Sequence, residues 1–247
     1  MTQHTAIITG ASSGLGRCIA KELESAGFVV YSIADKIHAN IPGKYVYELD
    51  LRDPAQIEKF CAQFQPDDPD FDGQFILINC AGINEINWLQ DLELAQWTDV
   101  MDVNARAIFL MTKGLLGMLA KAKGTVLNII SNASHMPMTG SLAYNASKGA
   151  AHIMTLQLAR ELTKAHGITV FGISPNKMAG TAMSRYIERR VPEVRGWTPE
   201  YAAAYQQQSI LAGEETDPQT LAEFITYLLI QKQHHKYLTG CIIPYGA

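Results

Sequence analysis

Short, nearly unbroken apolar runs alternate along this chain with longer stretches of helical periodicity. The runs are Thr5–Thr9, Phe28–Ala34, Tyr45–Leu49, Phe75–Ile78, Thr125–Ile130 and Ile168–Ser174. Runs of this length with no polar alternation predict strands buried on both faces, as in a parallel sheet. After the first run, Leu15, Cys18, Ile19, Leu23 and Ala26 mark a helix that Gly27 stops. Asp53-Pro54 opens the next helix, with proline at its first position. Long helices are predicted from Leu94 to Ala120 and from the region of Tyr144 to about Ala165, the latter closed by Gly167. Only about nine residues separate Asp35 from Tyr45, too few for a crossover helix, so a loop is predicted there. Pro66 to Gly73, rich in proline and aspartate, reads as a polar surface loop. Strand–helix alternation of this kind predicts an α/β fold: a single-domain, Rossmann-type doubly wound parallel sheet over residues 1–247, flanked by helices on both faces.

Composition narrows the function. At 247 residues and 47% hydrophobic content, the chain is long enough for one large core. A net charge of -4 without a basic run offers no footprint for nucleic acid. Cys18, Cys61, Cys80 and Cys241 are scattered, so neither a zinc site nor a disulfide framework is expected, and no metal is assigned. The first strand and its glycine-rich loop are reached by residue 10, leaving no room for a signal peptide, and no apolar run has the length of a membrane span. The expectation is a cytoplasmic protein with no membrane partner.

The candidate chemistry falls at the carboxyl ends of the predicted strands, where ligands bind in doubly wound sheets. Gly10-Ala11-Ser12-Ser13-Gly14-Leu15-Gly16 joins the first strand to the first helix, where backbone N–H groups and a helix N-terminus can receive a pyrophosphate. Asp35 ends the second strand and is placed to accept hydrogen bonds from ribose hydroxyls; the competing reading is a solvated loop aspartate. Asp50-Leu51 is placed to border an adenine ring, and Asn79-Cys80-Ala81-Gly82 offers small residues that let backbone approach a cofactor. Ser131 follows the fifth strand. Tyr144 and Lys148 stand four apart on one helical face. A lysine beside a phenol lowers the phenol's pKa toward a value useful for proton exchange, and a serine hydroxyl can hold the substrate oxygen. That trio suits hydride transfer at carbon with proton transfer at oxygen. Asn104, unusual inside a helix, calls for a polar partner or a water.

These motifs resemble the short-chain dehydrogenase/reductase family, single-domain branch, over nearly the whole chain. Thr9-Gly10-x-x-x-Gly14-x-Gly16 is similar to its cofactor loop, Asp50 to its adenine-contacting aspartate, and Asn79-x-Ala81-Gly82 to its Asn-Asn-Ala-Gly, with Cys80 replacing the second asparagine. Asn104, Ser131, Tyr144 and Lys148 match its catalytic tetrad. The resemblance implies Tyr144 as acid/base, Ser131 orienting the substrate oxygen, Lys148 holding the nicotinamide ribose, and Asn104 supporting a water relay to Lys148. It also implies cofactor contacts at Tyr144, Lys148, Pro175 and Thr181. The chain departs from the family in Pro175-Asn176 for Pro-Gly, in a Thr181 one residue late, and in Pro244-Tyr245-Gly246 for Asp-Gly-Gly. Asp35 lies one residue beyond the usual acidic position, which Ala34 occupies; with no arginine there, NAD is expected over NADP.

Residues 178–211 are the expected substrate lid. Met183, Tyr186, Trp197, Tyr201 and Tyr205 suggest an apolar pocket wall. Arg185, Arg189, Arg190 and Arg195 either grip an anionic substrate or form a solvated face offset by Glu188 and Glu193. His135 and Met136 are candidates for the pocket lining. The expected function is interconversion of a small-molecule secondary alcohol and a ketone with NAD(P); the alternative is a non-catalytic nucleotide sensor. Surplus apolar positions on the Leu94–Ala120 and Tyr144 helices predict a homotetramer, the alternative being cover from the chain's own lid or tail.

Overall fold

Strand β1 (His4–Thr9) lies mid-sheet, with β2 (Phe28–Ala34) on one side and β4 (Phe75–Asn79) on the other. The chain winds outward through β2 to the short β3 (Tyr45–Glu48), crosses back to β4, and continues through β5 (Thr125–Ile129), β6 (Thr169–Pro175) and β7 (Ile242–Tyr245). The computed structural model describes residues 3–67, 73–210 and 213–246; positions 68–72 of the Pro66–Gly73 loop, residue 211 of the lid and both chain ends lie outside them. Within these residues the seven strands form one parallel sheet in the order β3-β2-β1-β4-β5-β6-β7. The winding direction reverses between β1 and β4, which leaves a crevice at their carboxyl ends.

Alternate strand residues feed two cores. Ile7, Leu77, Val126 and Val170 pack on one face against Ile57, Met111, Leu119 and Ala159. These come from α2 (Pro54–Gln63), α4 (Ala107–Gly114), α5 (Leu116–Ala122) and α6 (Leu142–His166). On the other face Ile8, Ile76, Leu127 and Phe171 meet Ile19 and Leu23 of α1 (Gly14–Ser25) and Leu221, Ile225 and Leu229 of α9 (Pro218–Ile230). Residues 35–44 form the predicted helix-free connection between β2 and β3. No single helix among the described residues is long and apolar enough to cross a membrane.

One prediction fails. The Leu94–Ala120 helix is three helices: α3 (Leu94–Met101), then a wider turn over Asp102–Arg106, then α4, with a 60° bend into α5. The wide turn carries Asn104, whose amide engages a neighbouring loop instead of lying idle against the helix. The bend falls at Leu115, between Gly114 and Gly117, where helix propensity is low. Gly114 sits where a Cβ would lie 2.6 Å from the Cys61 sulfur, so close packing on α2 requires it. The lid contains two helices, α7 (Ala182–Arg195) and α8 (Pro199–Ser209), and α10 (His235–Leu238) precedes β7; the pattern of apolar runs had not marked β7 or α9.

Candidate active site

The floor of the crevice is backbone. Gly10 has φ +72°, and a Cβ there would stand 2.8 Å from Ala81 Cα; a Cβ on Gly16 would stand 2.3 Å from the Gly10 carbonyl oxygen. Both positions therefore demand glycine. Thr9 Oγ1 ties the floor to the end of β4 by accepting from the Cys80 N–H at 3.0 Å and the Ala81 N–H at 3.1 Å. Ser13 precedes α1 without a side-chain cap, so first-turn N–H groups remain open to a ligand.

A cavity of about 380 Å³ lies over this floor. Gly10, Ser12, Ser13, Gly14, Leu15, Gly16, Asp35, Asp50, Leu51, Ala81, Gly82 and Thr181, from the predicted cofactor set, all line it, together with Met183 of the lid. Asn79, Tyr144, Lys148 and Pro175, also counted as cofactor contacts, do not line it. Asn79 is buried and donates to Asn128 Oδ1 at 2.8 Å, while Asn128 donates to Thr155 Oγ1 at 2.9 Å, clamping β4 to β5 and α6. Pro175 is buried in the β6–β7 pairing. Arg52, absent from the predicted set, also lines the cavity and grips Asp50 through Nε at 2.9 Å and Nη2 at 2.8 Å. That guanidinium holds the Asp50 carboxyl below the usual carboxylate range. The Asp-x-Arg spacing after β3 was the available signal.

None of the predicted tetrad lines this cavity, but Asn104 and Lys148 stand beside its lining residues Gly82 and Ile129. A Cβ on Gly82 would stand 3.5 Å from Asn104 Oδ1 and 3.6 Å from Lys148 Nζ, so a side chain there would enter the space these groups face. Lys148 is buried, donates to the Ile129 carbonyl at 2.9 Å, and lies 5.9 Å from the centre of the Tyr144 ring. Burial pushes its ammonium down to about 8. Burial also raises the Tyr144 phenol, with hydrogen bonding from Ser131 pulling weakly the other way. The predicted lowering of the phenol is not supplied by the protein's own groups: burial outweighs the Ser131 hydrogen bond. Ser131 Oγ accepts from the Ala133 N–H at 3.2 Å and donates to Asn132 Oδ1 at 3.3 Å. Asn104 Oδ1 accepts from the Ile83 N–H at 2.8 Å; its Nδ2 donates to the Ile83 carbonyl at 2.8 Å and to Ser147 Oγ at 3.0 Å. It fixes the Gly82 loop against α6.

The short chain dehydrogenase family profile matches residues 4–191. This chain belongs to that family. It is 29% identical over 243 residues to the 3-oxoacyl-(acyl-carrier-protein) reductase FabG of Vibrio cholerae, covering 95% of this chain and 92% of that protein. The Escherichia coli FabG is 32% identical over 181 residues, covering 69% and 71%. Among solved structures, a 4-hydroxyisoleucine dehydrogenase complexed with NADH superposes with a TM-score of 0.79 at 27% identity, covering 99% of this chain and 98% of that one. An actinorhodin polyketide ketoreductase with NADPH superposes at 0.82 with 25% identity, covering 98% and 95%. The protein is therefore a short-chain oxidoreductase with an NAD(P) fold, and the open α1 N-terminus and the glycine floor fit a dinucleotide.

In this family setting the lid differs from the predicted apolar wall. Arg185 and Arg189 are exposed, as the solvated-face reading has it, whereas Arg190 and Arg195 are half-buried and tie the lid to neighbouring loops. Arg190 donates to Asn87 Oδ1 at 2.8 Å and to the Ile86 carbonyl at 3.2 Å, and Arg195 donates to the Thr139 carbonyl at 3.1 Å. Arg185 returns to the Gly180 carbonyl at 2.7 Å. Trp88 Nε1 donates to the Val194 carbonyl at 2.7 Å. Glu193 pairs with Arg190 as predicted, but Glu188 pairs with Lys177. Trp197 clusters with Tyr201 and Tyr205, which are half exposed. His135 and Met136 are exposed, His135 sharing the Ser134 hydroxyl with His152. Asn176, in the usual glycine's place, accepts from Asn132 at 3.1 Å and donates to the Gly246 carbonyl at 2.8 Å.

Proposed function

We propose that the protein interconverts a secondary alcohol and a ketone, with Tyr144 as acid/base and NAD as the preferred cofactor. The observation that carries this reading is the buried phenol of Tyr144, beside Ser131 and a Lys148 that stands next to the lining of a cavity floored by glycine. The nicotinamide, when bound, supplies or accepts the hydride. Burial keeps the Tyr144 phenol protonated at neutral pH, so it can donate to a carbonyl oxygen as the carbon is reduced. Ser131 holds that oxygen and stabilises its developing charge. Lys148 carries a proton that titrates close to neutral pH and lies on the same helical face one turn away. Asn104 acts as a positioning residue, since its amide is engaged by Ile83 and Ser147.

Asp35 supports the cofactor preference: it lines the cavity at the end of β2, where a carboxylate accepts from ribose hydroxyls and repels a 2′-phosphate. NADH should bind about tenfold or more tightly than NADPH, about 1.4 kcal/mol. Equilibrium titration checks this, and Asp35→Ala should narrow the gap. Tighter NADPH binding by the unaltered protein would overturn the preference. The assembly is proposed as a homotetramer, because Phe109 on α4 and Ile153 on α6 remain 46% and 62% exposed. A mass in solution about four times 27.2 kDa supports it, and the mass of one chain refutes it.

The activity test follows oxidation of NADH or NADPH against a panel of ketones. Turnover that depends on Tyr144 supports the proposed reaction.

A further inference from the structure

The loop after β4 carries a half-buried carboxylate with no cation. Glu85 Oε2 accepts from the Tyr186 hydroxyl at 3.1 Å and from Gln96 Nε2 at 3.4 Å; Oε1 has no partner among the described residues. No lysine or arginine nitrogen among the described residues lies within ion-pair distance. Arg190, on the same lid helix as Tyr186, turns instead to Ile86, Asn87 and Glu193. Of the lid carboxylates, Glu188 and Glu193 each carry a cation. Asn84, the preceding residue, also leaves a buried Oδ1 without a partner.

Position gives this shortage a meaning. Three residues before Glu85, Gly82 faces Lys148. Two residues after it, Asn87 donates its N–H to the Gly140 carbonyl at 2.8 Å and bridges Ser141, immediately before the helix that carries Tyr144. Glu85 therefore stands on the segment spanning the two ends of the catalytic pair, beneath α7. Tyr186 and Gln96 hold one carboxylate oxygen in place and leave the other without a protein donor among the described residues, an arrangement matched to a donor that arrives with the ligand.

We propose that Glu85 is a specificity-determining residue that accepts a hydrogen bond from a hydroxyl or ammonium group on the substrate, away from the reacting carbon. This rests on the alcohol–ketone reading above. Tyr186 and Gln96 fix one carboxylate oxygen and leave the other for that donor. The substrate class is a hydroxyketone or aminoketone with its corresponding alcohol.

The test compares a plain alkyl ketone, a hydroxyketone and an aminoketone matched in size, in turnover and in calorimetric binding to the NADH or NADPH complex. The unaltered enzyme should favour the donor-bearing ketones by about tenfold or more in kcat/KM, the size of one hydrogen bond to a charged group. Glu85→Ala should erase that ratio. Glu85→Gln should keep the hydroxyl preference while losing the ammonium preference, which separates the two donors. Tyr186→Phe removes a hydroxyl that holds the carboxylate but leaves the carboxylate itself, and should lower the ratio less than Glu85→Ala does. A ratio unchanged in Glu85→Ala, or lowered equally by Glu85→Ala and Tyr186→Phe, overturns the proposal. Bound cofactor with no ketone reduced would fail the alcohol–ketone reading instead, and the binding ratio would still judge Glu85.

Discussion

The floor of the site and its lid reach their geometry by different routes. Between β1 and α1 the floor is glycine backbone, packed so that added methyl groups at Gly10 or Gly16 would meet neighbouring backbone. The lid is held by side chains reaching across the chain: Tyr186 to Glu85, Arg190 to Asn87, Trp88 to Val194 and Arg195 to Thr139. A backbone floor requires particular residues at particular spacings, because only glycine fits the turns. A side-chain lid needs partners, and any of several residue pairs satisfies the same backbone carbonyl. The floor is thus suited to one common ligand and the lid to a particular one.

Changes at the reacting groups should have the largest effect. Tyr144→Phe should lower turnover by about 10²–10⁴-fold while cofactor affinity stays unchanged, as stopped-flow and titration would record. Gly16→Ala strikes the floor itself: its Cβ would meet the Gly10 carbonyl at 2.3 Å, so the loop must shift. Denaturant unfolding should show a loss of about 1–3 kcal/mol, with weakened binding of both NADH and NADPH. The same substitution in the lid would spare the cofactor.

Lys148→Met should separate catalysis from stability. Burial takes the Lys148 ammonium from its ordinary 10.5 to about 8. Between those values the unfolded chain binds more protons than the folded one, so stability rises with pH from about 8 toward 10.5. The cost of burying the charge is fully present below 8. Removing it should stabilise the protein by about 1–3 kcal/mol at neutral pH while turnover is lost, and should flatten the alkaline rise in stability. The smallest effect is expected at the lid: Trp88→Phe, which deletes the bond to Val194, should weaken substrate binding by less than about tenfold and leave NADH affinity unaltered.

The same contrast explains what the sequence disclosed. Apolar runs located six strands, and glycine spacing located the floor, because buried parallel strands and positive-φ turns tolerate few residue types. Tyr144, Lys148 and Ser131 were legible through a one-turn helical spacing and a strand end. The break in the Leu94–Ala120 helix was not: Asn104 distorts it to reach Ile83, a residue paired through the fold and not through periodicity. The Arg52 grip on Asp50 was near in sequence yet hidden by the expectation of an adenine contact. β7 escaped because Ile242-Ile243 is a short apolar pair interrupted by Pro244 at a sheet edge. The lid bonds join residues about a hundred positions apart, beyond any local pattern.

A nucleotide-sensing protein and an oxidoreductase would share the floor and differ at the edge, where only turnover would depend on the Tyr144 phenol. The most direct test places NADH or NADPH and a broad ketone panel with the unaltered protein and with Tyr144→Phe, and records both binding and loss of the reduced nicotinamide. Binding by both proteins with turnover only by the first is the predicted result. Binding without turnover by the unaltered protein, or equal turnover by both, would contradict the proposed chemistry.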